Sequence, residues 1–305
     1  MNIIKYKSWF FGLSLLVLAW GGFGLIRFGL RPAIDFTGGS LLEVQLPDFS
    51  SDIKIDDLQP LAKDIYEITA VQNSGAQTWI LRGKPLANDS KNQVLINLKS
   101  QFGQVIELRF ETVGPTLGTE TLKKMLLAII IVSSVITLYV WHQFHELKYG
   151  VCAILAMFHD SMVLIGSFSW LGHWWGMEVD VLLVTAVLTT LTFSVHDTIV
   201  VYDRIRELRR YHPRQPFANI VNAATWQTLG RSLNNSLTII IMLLSLTLLG
   251  GQTIRWFATA LLIGSVTGTY SSTFTAVPLL VLWDELKIKI RRIQTKNTKS
   301  IKYEG

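Results

Sequence analysis

Residues 193–210, FSVHDTIVVYDRIRELRR, decide how the whole chain is read. The stretch closes a long apolar run, places Asp197 before that run ends, and only then turns into the charges expected at a membrane surface. An ionisable side chain inside a bilayer costs roughly 3 kcal/mol or more, so it persists where it has a partner or a task. TLGRSLNNSL (228–237) then opens the next apolar run and puts Arg231 at a similar depth. An acid and a base on consecutive spans organise the expectations that follow.

Of the 305 residues, half are hydrophobic and only 16% are charged, a composition of polytopic membrane proteins rather than of soluble domains. The single cysteine, Cys152, excludes an intrachain disulfide and reads as a packing residue. An isoelectric point near 9.4 invites a nucleic-acid partner, but the distribution of charge argues against one. Residues 31–120 hold 8 Lys/Arg against 12 Asp/Glu, net −4, while the remainder holds 20 against 10, net +10. The basic excess lies beside the apolar runs, as cytoplasmic loops require.

Residues 1–30 read as a short basic N-terminus and a first span, whose ~20 apolar residues at ~1.5 Å each cross a ~30 Å core. The apolar part is too long for a signal peptide and lacks a small-residue cleavage site, so an uncleaved anchor is expected, N-terminus in the cytoplasm. Residues 31–120 form the one sizeable polar block. SLLEVQL (40–46), ITAVQ (68–72), TWILRG (78–83) and VIELRFETV (105–113) read as strands. Residues 56–65 and 88–102 have helical spacing, with Asp56 and either Asn88 or Asp89 as N-caps. The order β-α-β-β-α-β suggests a small α+β ferredoxin-like domain on the extracytoplasmic (periplasmic) side.

Five further apolar runs follow, at 122–141, 150–171, 179–201, 231–249 and 256–283. With the first they predict an α-helical bundle of six transmembrane helices, both termini cytoplasmic. The span region is 121–283, with a cytoplasmic amphipathic segment at 203–230 broken by Pro213 and Pro216, and 284–305 is a basic tail. One span, one extramembrane domain and then five spans is the layout expected of half of a two-fold repeated transporter.

Six motifs give this layout a family. IDFTGG (34–39) follows the first span and VGPTLG (113–118) precedes the second. HD (159–160) lies in the third span, DTIVVYDRIRE (197–207) ends the fourth, QTLGRS (227–232) opens the fifth and GTYSSTFTAVPLL (268–280) lies in the sixth. In order and spacing they resemble the SecD/SecF preprotein-export family, on its SecF side, within the resistance-nodulation-division (RND) superfamily. The resemblance implies half of a pseudo-symmetric RND-type bundle in the bacterial inner membrane. It implies a heterocomplex with SecD near the SecYEG channel and the SecA motor, with YajC as a further candidate partner, handling a translocating preprotein. Proton flow would drive the later stage of export, with no cofactor beyond the proton gradient. His196 stands where the family commonly has Asn, which adds a titratable group beside Asp197.

For the chemistry, burial favours a neutral carboxylic acid and a nearby guanidinium favours the anion, so a changing Asp197–Arg231 separation could load and release a proton. A static salt bridge fixing helix register is the competing reading. His196, Thr198 and Asp160 complete the candidate proton pathway; for His159 and Asp160 a local hydrogen bond between helices competes. Asn234, Asn235 and Ser236 either hold water or pack helices. Asp203, Arg204, Arg206 and Glu207 are expected to pair at i,i+3 or i,i+4. Asp35, Gly38 and Gly39, with Gly114 and Pro115, read as hinges or as plain tight turns. No third ligand type clusters with His159 and Asp160, so no metal is expected. No nucleotide-binding GxxxxGK[ST], HExxH or G-x-S-x-G occurs, and a conventional enzyme is not expected. The competing functions are a proton-coupled efflux or lipid transporter half-subunit of the same superfamily, and a passive assembly scaffold.

Overall fold

The structure is a computed structural model and describes residues 3–48, 58, 60, 62, 65–75, 77–144 and 146–301. The chain divides into two compact units. A helical unit comprises Met1–Gly29, Ile130–Trp170 and Thr185–Gly305, and a sheet unit comprises Leu30–Ile129 and Leu171–Val184.

In lipid a backbone must satisfy its own polar groups, and the long apolar runs do so by coiling. After a 3₁₀ turn, Ile3–Tyr6, come α1 (Lys7–Phe28), α4 (Pro115–Phe144), α5 (Leu147–Trp175), α6 (Val181–Tyr211) and α7 (Phe217–Leu249). Among the described residues, these five helices are long and apolar enough to cross a membrane. Much of the apolar surface of α1, α4 and α7 faces outward, Trp9, Ile26, Ile130 and Leu249 among it. Outward apolar faces of that extent suit lipid or a partner helix rather than water. The last apolar run, 256–283, is carried by α8 (Gln252–Ser271), a π turn at Ser272–Ala276 and the start of α9 (Val277–Ile301). Pro278 accounts for the widening, since it lacks the N–H that would close an α-helical bond onto residue 274.

The core of the helical unit gathers Phe144, Tyr149, Cys152, Met157, Tyr202 and Leu280 with their buried neighbours. Cys152 is free and buried there, as a packing residue should be. Tyr202 stacks edge-on to Phe144 and Tyr149 and donates its hydroxyl to the Ala276 carbonyl, at 3.0 Å, in the π turn. Backbones approach closely where glycine replaces a side chain. A Cβ on Gly166 of α5 would fall 2.5 Å from the Gly21 Cα of α1.

No separate interfacial helix forms between the fourth and fifth runs. α6 continues to Tyr211 and α7 starts at Phe217, so the amphipathic residues expected at 203–230 belong to the ends of two long helices. The physical reason is that the two breakers, Pro213 and Pro216, both fall in the short connection, and nothing after Pro216 interrupts helical geometry.

The sheet unit holds β1 (Gly39–Gln45), β2 (Ile68–Gly75), β3 (Thr78–Gly83) and β4 (Ile106–Val113) in the order β2-β3-β1-β4, all neighbours antiparallel. β1 is internal and its side chains are buried almost throughout. α3 (Asn88–Phe102) buries Val94, Leu98 and Phe102, one stripe at i, i+4, i+8. Neither Asn88 nor Asp89 caps it; the N-cap is Ala87, and Asp89 in the first turn instead sets a negative charge at the positive end of the helix dipole. Most of the helix expected at 56–65, Asp56 included, lies outside the described residues, though Leu58 and Ala62 are helical and buried in the core with Tyr66 and Leu81. A short helix, α2 (Ile34–Thr37), precedes β1.

Candidate functional site

The 31 residues of α6 contain no breaker, so the helix carries Asp197 without interruption to the charges at Asp203–Arg210. Six residues at ~1.5 Å each set Asp197 roughly 9 Å inside Asp203. Around this point α6 has two faces. Ser194, Val195 and Thr198 are buried, whereas Thr192, Phe193 and His196 are exposed, and Asp197 stands half-buried at the border. On α7, Ser232 and Ser236 share a buried face at i,i+4 spacing.

Ser232 Oγ donates to Asp197 Oδ2 at 2.5 Å. One helical turn on, the Thr269 hydroxyl of α8 donates to the Ser265 carbonyl at 2.7 Å and accepts from Ser236 Oγ, also at 2.7 Å. Asp197, Ser236, Ser265 and Thr269 border an open cleft of about 530 Å³, to which His196, Phe193, Asn235 and Ile239 also contribute. A carboxylate here faces hydroxyls and an imidazole. The cleft can bring water to an ionisable group at membrane depth.

Arg231 does not take the place expected of it. Among the described residues no ion pair joins it to Asp197; it is exposed and borders a second cleft, of about 510 Å³, with Asp203, Arg204, Glu207, Gln227 and Thr228. Consecutive helix residues point about 100° apart, so a helix that points Ser232 at Asp197 points Arg231 away from that carboxylate. Ser232 is thus the residue that sequence reasoning missed. It stands next to the arginine in QTLGRS, and its spacing from Ser236 marks the face that packs. Thr198, expected in the pathway, spends its hydroxyl on the Ser194 carbonyl at 2.9 Å and is buried away from the cleft. Asn235 and Ser236 do line the cleft. Beyond it, Arg204 pairs with Glu207 and Arg206 approaches Asp203, both at i,i+3.

Asp160 is fully buried on α5. Its Oδ1 lies 3.0 Å from His159 Nδ1 and its Oδ2 accepts from Ser271 Oγ at 2.5 Å. The bond to Ser271 joins α5 to the last residue of α8, just before the π turn. Among the described residues no group of three or more metal-ligating side chains occurs.

In the sheet unit the two glycine motifs meet. Gly38 has φ +72°, and a Cβ there would fall 2.7 Å from the Pro115 Cα. A Cβ on Gly118 would in turn fall 2.7 Å from the Gly38 nitrogen. IDFTGG and VGPTLG are therefore packed backbone to backbone, whereas Gly114 itself has open space around it. Asp35 Oδ2 accepts from the Val181 N–H at 3.2 Å and Asp180 Oδ1 from the Leu183 N–H at 2.7 Å, so two carboxylates cap the start of α6. The same loop carries a cluster that the sequence did not signal. Glu178 pairs with Arg82 of β3 at 2.6 Å, with both side chains less than a fifth exposed. Arg82 also donates to Gln72, which donates to the Trp175 carbonyl. Burial lowers the Arg82 pKa and raises that of Glu178, each opposed by the partner's charge. Burial likewise raises the Asp180 carboxyl, against the pull of the Leu183 N–H.

The family model described as protein export membrane protein SecD/SecF, C-terminal, matches residues 93–286, and that of the SecD/SecF GG motif matches residues 23–46. Protein translocase subunit SecF of Thermobaculum terrenum is 43% identical over 303 residues, which cover 93% of this chain and 94% of that protein. SecF of Anaerolinea thermophila is 38% identical over 291 residues, with coverage of 93% and 94%. A crystal structure of SecDF from Thermus thermophilus, described as a translocon-associated membrane protein, matches with a TM-score of 0.82 and 29% identity. That match covers 93% of this chain and 39% of the longer one. The chain therefore belongs to the SecD/SecF family of protein-export membrane proteins, and its full-length relatives are SecF translocase subunits.

Proposed function

We propose that the chain acts as the SecF half of a SecD–SecF complex in the bacterial inner membrane, where it uses the proton motive force to promote preprotein export after the SecA-driven stage. The complex works beside the SecYEG channel, with YajC as an accessory candidate. In this reading the bundle has six spans, α8 and the π turn carry the sixth, and both termini are cytoplasmic. The sheet unit is a ferredoxin-like domain on the far side, a reading supported by the strand order β2-β3-β1-β4 with antiparallel pairing throughout.

The observation that carries the mechanism is Asp197 half-buried beside an open cleft, held by a hydroxyl rather than by a cation. Asp197 is the proton carrier in this reading and Arg231 its electrostatic switch. While Ser232 faces Asp197, a proton can sit on the carboxyl without leaving a buried charge unpaired. A rotation or shift of α7 that exchanges Ser232 for Arg231 favours the anion and expels the proton. Each proton moved down ~100 mV supplies ~2.3 kcal/mol, enough to bias a two-state element.

The test is proton-driven export in vesicles containing SecD and this chain, compared with Asp197→Asn. Loss of the proton-driven component with the complex still assembled supports the reading; retained coupling returns the cleft to a structural role.

A further inference from the structure

Hydroxyls buried in α-helices ordinarily bond back to the carbonyl four residues earlier, and this chain follows the rule at Thr198, Thr225 and Thr228. Three hydroxyls between α6 and α8 do not. Thr190 and Ser194 are each 1% exposed and Ser265 is 6% exposed, and Thr190 Oγ1, Ser194 Oγ and Ser265 Oγ have no hydrogen-bond partner among the described residues. They lie where the two helices approach closely. A Cβ on Gly264 would strike the Thr190 hydroxyl, and one on Gly268 would rest 3.4 Å from the Ser194 Cα. At one end of this seam, Ser265 and Gly268 border the Asp197 cleft. At the other, Ser271 Oγ touches the Gly268 carbonyl at 3.3 Å and donates to Asp160. Beyond Asp160, His159 is 5% exposed and its Nε2 has no partner among the described residues.

We infer that His159 and Asp160 form a second proton-holding site, joined to the Asp197 cleft by water held on the Thr190, Ser194, Ser265 and Ser271 hydroxyls. The inference rests on Asp197 being the proton carrier. A fully buried carboxylate and an imidazole 3.0 Å apart are neutral together only when they share one proton beyond that of neutral imidazole. That proton is the one the site takes up and returns. Each step moves a proton along hydrogen bonds, one entering an oxygen as another leaves it, and breaks no other bond. No opposite charge competes for it. Among the described residues the only ion-pair contact of Asp160 is His159. The ionisable side chains on the surrounding helices are Arg27 on α1 beyond Lys7, Lys148, Tyr149, Cys152 and His173 on α5, and Arg255 and Tyr270 on α8. On α6 the groups within the apolar run and its end are His196, Asp197 and Tyr202, and on α9 Asp284, Glu285, Lys287 and Lys289 lie beyond the π turn.

The test is infrared difference spectroscopy on the full chain reconstituted with its SecD partner, after a pH step and after mixing with D2O. A carboxyl band absent from Asp160→Asn is expected to respond to the pH step. Its deuterium exchange is expected to slow at least about tenfold in Ser265→Val and in Ser194→Val. Ser271→Ala and His159→Gln, which keep the carboxylate, are expected to shift that band and keep the result readable where Asp160→Asn does not assemble. An Asp160 band that ignores pH, or exchange that is unchanged in both valine variants, overturns the inference. Asp197→Asn run alongside in the export assay separates the two claims. Retained proton-driven export there refutes the carrier reading, while its loss together with unchanged Asp160 exchange refutes this inference alone.

Discussion

Replacing Glu178 by Gln strands a guanidinium inside the sheet unit, and the size of the effect follows from the geometry. Arg82 and Glu178 meet at 2.6 Å with 17% and 18% of their side chains exposed. Removing one partner of a buried pair costs about 3–5 kcal/mol, because the other charge stays behind. Gln72 still accepts from Arg82 Nη1 at 3.2 Å and relieves part of that cost, which leaves about 2–3 kcal/mol. What this pair secures is the loop against residues 31–33, just before α2. The Val179 N–H donates to the Arg31 carbonyl at 2.7 Å and the Ala33 N–H to the Val179 carbonyl at 2.8 Å. Hydrogen exchange of the full chain in nanodiscs reads the opening of those two bonds. At 1.36 kcal/mol per factor of ten, Glu178→Gln should raise exchange at Val179 and Ala33 by about 30- to 150-fold. Substituting Arg82 and Glu178 together by Leu should recover most of the protection, since no charge is then left buried. An increase below about threefold in Glu178→Gln, or a double variant as unprotected as the single ones, would refute the argument.

The same loop has a pH dependence of defined sign. Asp180 is raised by burial above its ordinary 3.8, so the folded loop binds its proton more tightly than the unfolded chain does. Its contribution is therefore largest below that ordinary value and is lost as pH rises through the raised folded value. Corrected for intrinsic rates, protection at Val179 should gain from this group on acidification in that window, and that gain should vanish in Asp180→Asn. The two glycine motifs should also respond unequally. Gly38→Ala meets the Pro115 backbone at φ +72° and should cost at least ~2 kcal/mol, whereas Gly114→Ala enters open space and should shift the unfolding midpoint of the full chain by under ~0.5 kcal/mol equivalent.

The sequence made the membrane runs legible because hydropathy over some twenty residues is a summed signal that no single neighbour can reverse. The strands at 78–83 and the helix at 88–102 were legible for a similar reason: period and length agreed. What the sequence could not carry was rotation about the helix axis. Depth along α7 put Arg231 near Asp197, yet a step of one residue turns the side chain by about 100° and gives the contact to Ser232. The cap of α3 failed on the same scale, since a shift of one residue separates Ala87 from Asn88. Arg82 and Glu178 are nearly a hundred positions apart, in a strand and a loop that each read as ordinary, so only the fold brings the charges together.

The placement of α8 ties these findings into one argument about how a proton could be converted into movement. One face of α8 presents Thr269 to Ser236 of α7, beside the Asp197 cleft. Another presents Gly264 and Gly268 to Thr190 and Ser194 of α6, and Ser271 at its end reaches Asp160 on α5. Close glycine packing leaves no side chain to take up a displacement, so a shift of α8 against α6 is passed on to the hydroxyl contacts at both ends. The helix is also released where it needs to be. Directly after Ser271 the backbone widens into a π turn because Pro278 offers no N–H to close it, and Tyr202 holds that turn through the Ala276 carbonyl. If either carboxylate exchanges a proton as proposed, the hydroxyl bonds it accepts change in strength, and α8 is the element in contact with both networks.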